Sequence, residues 1–313
     1  MFEKQMNFLK GKSLSWLIAS LIIINVFWGA SAVAVKEAYA QLDTLDIVTL
    51  RFALSTPMII AVTLLLKGKK GLSIDLKDVP YMAFLATIGI SAALFLQAWS
   101  LENTTVTNFT MISSLSTFTV MLLSFVIIGE KPSKDKVIGA IIAFIGLALI
   151  TTNGRFEVSA QLKGDIIALT SAFFWALYTV MGKKIGEKYS ALTVLSYVFF
   201  FASLEFMPFY LTSPHTSLFE FTPLTWISLG FLTICCSLIA FLVYNFSLDK
   251  LSASTVAMTI YITPLSGIFL GAVLLGESFT AYTLLGSILI IGGLYKAESK
   301  NISISRQSSP LDT

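Results

Sequence analysis

Ten stretches of the chain are apolar on every helical face, and short polar segments separate them. They run over about 14–35, 45–66, 80–100, 106–128, 136–152, 164–183, 190–211, 224–247, 254–275 and 281–296. A transmembrane β-strand would show about ten residues of alternating polarity, whereas "LIASLIIINVF" and "VIGAIIAFIGLALI" have no polar face, so the pattern predicts helices. Crossing about 30 Å of hydrocarbon takes roughly 20 residues at 1.5 Å each, which is the scale of these runs. The expected fold is an all-α integral membrane protein with ten transmembrane helices.

Composition agrees with that pattern. Of 313 residues, 56% are hydrophobic and 12% charged, with a mean hydropathy of +0.82; a soluble domain carries about a quarter charged residues. The basic N-terminal stretch "MFEKQMNFLKGKSLSW" precedes an apolar run too long for a signal-peptide core and no small-residue cleavage pattern follows, so the first helix is expected to stay. Cys235 and Cys236 are adjacent within the eighth stretch, point different ways and form neither a disulfide framework nor a metal site.

Lysine and arginine placement sets the expected orientation. With the N-terminus inside, the outer segments hold only Lys36, Arg155 and Lys163, Arg51 lies within a span, and the other 17 of the 21 basic residues are on the inner side. Both termini are then cytoplasmic. The net charge of +3 follows from this topology and calls for no nucleic-acid partner.

The chain also repeats itself. At an offset of 147 positions, Trp28 matches Trp175, Lys36 matches Lys183, Ser100-Leu101-Glu102 matches Ser247-Leu248-Asp249, Gly129-Glu130 matches Gly276-Glu277, and Gly139 and Gly146 match Gly286 and Gly293. Each half holds five spans. Five is odd, so the second half enters the membrane upside down, which is the inverted-repeat plan of carriers with a midplane site. The expected units are 1–152, a first five-helix repeat with a cytoplasmic N-terminus; 153–163, an external linker; 164–297, the inverted second repeat; and 298–313, a polar cytoplasmic tail.

Span one holds "FWG", span two "LRF", and a "GE" closes spans four and nine ahead of glycine-bearing last helices, "GEKPSKDKVIGAIIAFIG" and "GESFTAYTLLGSILIIGG". In these motifs, over roughly residues 14 to 297, the chain resembles the EamA family of the drug/metabolite transporter superfamily. The resemblance implies a bacterial inner-membrane carrier, commonly an exporter of amino acids or related metabolites, and leaves the substrate open. The second half departs from the pattern at Ala176 and Val198, opposite Gly29 and Arg51.

Candidate path residues follow from helical spacing. Asn25, Trp28, Ala32 and Lys36 share one face of span one, and Trp175, Thr179 and Lys183 the equivalent face of span six, with Tyr178 beside them. A Trp at helical spacing also serves as core packing. Span four carries Thr110, Ser113, Thr117 and Ser124 on one face. Its mate carries Tyr261 and Pro264, where the proline frees an upstream carbonyl. Small hydroxyl residues also simply allow close helix packing. Gln97 and Trp99 in span three, and Tyr244 and Asn245 in span eight, complete the candidate substrate-binding set. Arg51 and Glu205 lie at compatible depths and form a candidate charge pair or proton site, with Arg51 the candidate anchor for an anionic substrate. No cofactor or metal is expected: His215 is the sole histidine and no HExxH motif is present, which argues against an intramembrane enzyme. The expected function is a secondary transporter of a small amphipathic metabolite, most simply an amino acid moved outward. The alternative is a channel or permease for a nucleobase, sugar derivative or drug. The partners are that solute and the lipid bilayer, and the oligomeric state is left open.

Overall fold

The computed structural model describes residues 14–104, 106–152, 162–214, 216–267 and 280–307. His215 and Glu277 therefore lie outside the described residues, as do the side chains of Ala32 and Lys36. Helices account for the architecture and no strand occurs among the described residues. In chain order they are α1 (Leu14–Ala38), α2 (Thr44–Lys67), α3 (79–103), α4 (106–128), α5 (Lys134–Thr152), α6 (Leu162–Gly186), α7 (Ala191–Thr212), α8 (223–248), α9 (253–267) and α10 (Ala281–Gln307). Seven of them, α1, α2, α3, α5, α6, α7 and α8, are long and apolar enough to cross a membrane.

The other three expected spans are not among these seven. α4 is interrupted at Leu115, between Val106–Ser114 and Ser116–Ile128. α9 is interrupted at the equivalent place by a 3₁₀ turn, Thr259–Tyr261, just before Pro264, and beyond Gly267 it leaves the described residues. The apolar part of α10 is Ala281–Ala297. A proline cannot donate to the preceding turn, so α9 tightens ahead of it.

Polar residues start the helices. Asp43 and Asp46 form a reciprocal capping box on α2. Ser190 accepts from the Thr193 N–H on α7, Thr222 from Thr225 on α8 and Ser252 from Thr255 on α9. Such caps are each worth about 1 kcal/mol. Gly129 closes α4 at φ 72°, a left-handed conformation that residues with a Cβ adopt at a cost. α3 and α8 each contain a π-helical turn, Thr87–Ala92 and Leu232–Ile239. These widen the helices at matching points of the two halves.

Without water in the bilayer to drive them together, helices associate by close packing, and small residues permit it. α5 and α10 show this at two levels. A Cβ on Gly139 would lie 2.4 Å from the Gly293 carbonyl oxygen, and one on Gly146 would lie 2.6 Å from that of Gly286. The contacts are reciprocal. Three further contacts join residues 147 positions apart: the Trp28 and Trp175 rings, 5.8 Å between centroids; the Phe52 and Phe199 rings, 5.2 Å; and the Thr56 and Ser203 hydroxyls, 2.8 Å. Lys183 ties the end of α6 to the end of α4 and to the α8–α9 connection, with its ammonium 3.1 Å from Glu130 and donating to the Leu248 and Leu251 carbonyls.

Candidate functional site

The centre of the molecule is aromatic. Trp28 of α1 stands edge-on to Trp175 of α6 and to Phe241 of α8, and its ring lies 5.7 Å from that of Tyr244. Trp175 in turn lies 5.6 Å from Tyr178 and 5.5 Å from Tyr244. Edge-to-face pairs of this kind add about 0.5–1.5 kcal/mol to area burial. Every polar atom named here has a mate. Trp28 Nε1 donates to the Cys236 carbonyl at 2.9 Å, Asn245 donates to the Tyr178 hydroxyl at 2.8 Å, and the Thr179 and Tyr244 hydroxyls are 2.8 Å apart.

The π-helical turn of α8 explains how a backbone carbonyl comes to be free for Trp28. Ala240 N–H reaches back to the Cys235 and Ser237 carbonyls, passing over that of Cys236. A π turn shifts hydrogen bonds from i−4 to i−5 and so releases an acceptor inside a helix. The same turn presents Ser237, whose hydroxyl accepts from Arg51 Nε at 3.0 Å. Among the described residues no ion pair involves Arg51. An arginine at such depth costs about 2.5–3.5 kcal/mol to insert, so a position facing protein or water is its usual setting.

Glu205, whose repeat mate is Met58 rather than Arg51, rests on the other π turn. From α7 it accepts a 2.5 Å hydrogen bond from Thr87, in the π turn of α3, and its Oε2 is buried with no hydrogen-bond partner among the described residues. Arg51 and Glu205 thus do not meet. Each charge rests instead on the π turn of a helix from the opposite half.

The candidate residues divide by location. Trp28, Trp175, Tyr178, Thr179 and Tyr244 come together in the aromatic cluster, with Asn245 on its edge, while Arg51 of α2 rests against Ser237 of α8. Asn25 turns towards α9, where it donates to Thr259 at 3.1 Å and accepts from Thr263 at 2.8 Å. Thr117 donates to the Ala257 carbonyl at 3.3 Å, tying α4 to α9. Tyr261 is buried among Ala143, Leu147 and Ile290 of α5 and α10. Ser113 donates within its own helix to Thr110. Gln97 is exposed, and so is Trp99, where the Lys163 ammonium lies 5.4 Å from the ring centre; both stand apart from the cluster. Phe241 and Ser237 belong to the cluster and its wall, yet neither stands out in the sequence: one is a phenylalanine among 25 and the other a serine in an apolar run.

Comparison with known proteins completes the picture. The model of the EamA-like transporter family matches residues 15–152 and again 162–296. An uncharacterized transporter of Archaeoglobus fulgidus is 28% identical over 90% of this chain and 96% of its own length. A protein of Salmonella typhimurium named "Probable amino-acid metabolite efflux pump" is 25% identical over 88% of this chain and 92% of its own. A solved crystal structure, 19% identical, superposes with a TM-score of 0.78 over 95% of this chain and all of that one, which speaks for the fold. With helices suited to a bilayer and two family matches in tandem, the chain belongs to the EamA-like transporter family and is an integral membrane transporter.

Proposed function

We propose that the protein is a ten-helix carrier built from two inverted five-helix repeats, residues 1–152 and 164–297, which moves a small carboxylate-bearing metabolite outward by alternating access. Both termini lie on the cytoplasmic side of a bacterial inner membrane, with 153–163 outside. The observation that carries the reading is the pattern of contacts between positions 147 apart. Trp28 touches Trp175, Phe52 touches Phe199 and Thr56 bonds Ser203, as residues on a two-fold axis would. Gly139 meets Gly293 while Gly146 meets Gly286, as residues off such an axis would.

The substrate class rests on Arg51. A guanidinium held at Nε by Ser237, with no carboxylate paired to it among the described residues, keeps its outer edge for a planar two-oxygen acceptor. The aromatic wall beside it accepts an apolar body. The amino-acid efflux names borne by relatives in Salmonella typhimurium and Escherichia coli favour an amino acid over a nucleobase or sugar derivative. The test is a metabolite efflux profile of cells with and without the protein, repeated with Arg51→Gln. Selective excretion of one or more amino acids that the variant abolishes is expected; excretion of uncharged solutes unaffected by Arg51→Gln would overturn the substrate assignment.

A further inference from the structure

The loops on the two faces are fastened at matching positions. On one face Lys188, after α6, forms ion pairs with Asp75 at 2.5 Å and with Asp78, and the neighbouring Tyr189 hydroxyl donates to Asp78 at 2.6 Å and accepts from the Asp75 N–H at 3.0 Å. On the other face Gln41, after α1, accepts at Oε1 from the Thr222 N–H at 2.8 Å and the Thr225 hydroxyl at 2.7 Å, and donates to the Glu220 carbonyl at 2.9 Å. Gln41 and Lys188 are 147 positions apart in the sequence, as are Asp75 and Thr222, and Asp78 and Thr225. The fastening is thus repeated in place while its chemistry changes from ionic to neutral. The two carboxylates, Asp75 foremost, raise the Lys188 ammonium above its ordinary value.

Alternation between inverted halves gives this repetition a meaning. The second access state follows when each half takes up the other's conformation, so a contact between position i of one half and position j of the other is replaced by the contact of their mates. A contact that exists without its mate must break and re-form on the opposite face. A contact already present together with its mate is unchanged by the exchange. Both clasps exist at once in the same structure.

We propose that the Lys188/Tyr189–Asp75/Asp78 clasp and its mate, Gln41 with Thr222 and Thr225, stay closed in both access states and act as the two fixed hinges about which the halves exchange. This rests on the inverted-repeat reading above. The hinges hold the start of α3 to the α6–α7 turn and the start of α8 to the α1–α2 turn, so the motion is confined to helices between them.

Cysteine cross-linking tests it, in a chain whose Cys235 and Cys236 are replaced by alanine. The pairs are Lys188→Cys with Asp78→Cys, and Gln41→Cys with Thr225→Cys. A third pair, Glu187→Cys with Leu76→Cys, is bridged by a flexible bifunctional thiol reagent and leaves every clasp residue in place should the first two variants fold poorly. Counterflow of a radiolabelled amino-acid mixture is measured in proteoliposomes before cross-linking, after it, and after reduction. No loss of counterflow on cross-linking is expected for all three. Arrest that reduction reverses would overturn the hinges while leaving the inverted carrier standing. Labelling of Lys188→Cys and Thr222→Cys from the same side of the membrane by an impermeant reagent would overturn both.

Discussion

The α5/α10 seam and the contacts of α2 and α7 with the π-helical turns differ in one respect. At the seam, geometry and chemistry are both repeated: Gly139 and Gly146 face Gly293 and Gly286 so closely that an added Cβ would lie 2.4 and 2.6 Å from the facing carbonyl oxygens. At the π turns only the pairing of helix with turn is repeated, through different positions. α2 brings Arg51 to Ser237 of α8 and α7 brings Glu205 to Thr87 of α3, a cation on one side and a carboxylate on the other. On the proposed reading, what both halves share serves the movement that both make, and what one half alone possesses recognises the solute.

Arg51→Gln bears hardest on that contrast. A charge-assisted hydrogen bond to a carboxylate is worth about 1.5–3 kcal/mol, so affinity for carboxylate-bearing substrates should fall roughly 10- to 150-fold, with normal yield of folded protein. Binding to the purified variant measures it. Glu205→Gln should leave that affinity unchanged, since a glutamine oxygen still accepts from Thr87 and no ion pair with Arg51 is broken.

The seam supplies the next effect. Gly146→Val drives a side chain into the Gly286 carbonyl and should cost about 1–3 kcal/mol, read as a lower melting temperature in detergent. Gly292→Ala, one residue from the seam position Gly293, meets nothing within 4 Å and should melt like the parent. Equal melting of the two variants would remove the seam from the comparison.

Ser237→Ala sharpens the other side. It frees Arg51 Nε without touching charge, at a cost of about 0.5–1.5 kcal/mol for one neutral partner, and should weaken carboxylate affinity by roughly twofold to twelvefold. Thr87→Ala, its counterpart beside Glu205, should leave affinity as it is. The smallest effect belongs to Asp249, at the end of α8, where partial burial pushes the carboxyl up to about 6 from 3.8. The fold is then penalised by the charged form, fully above about 6 and not at all below 3.8. Asp249→Asn should raise the melting temperature at pH 7.5 and leave it unchanged at pH 3.5.

Much of the helix order was legible, because apolar runs bounded by lysines and cap residues have the same physical cause in sequence and in structure. The repeat was legible through Trp28, Gly139 and Gly146, residues whose side chains, or lack of them, leave few substitutes. The π turns were not. No residue type encodes them. Position along the helices puts Arg51 and Glu205 at one depth, but depth says nothing of azimuth, and each turns to a different neighbour. Gln97 and Trp99 fail to join the cluster for the same reason: each side chain is exposed.

Inversion of the two halves underlies all of these expectations, and impermeant thiol labelling tests it directly. In a chain without Cys235 and Cys236, Lys70→Cys, between α2 and α3, should react with the reagent only after the cells are opened. Thr216→Cys, at the equivalent junction between α7 and α8, should react in intact cells. Reaction of both from the outside, or of neither until the membrane is broken, would contradict the inverted arrangement.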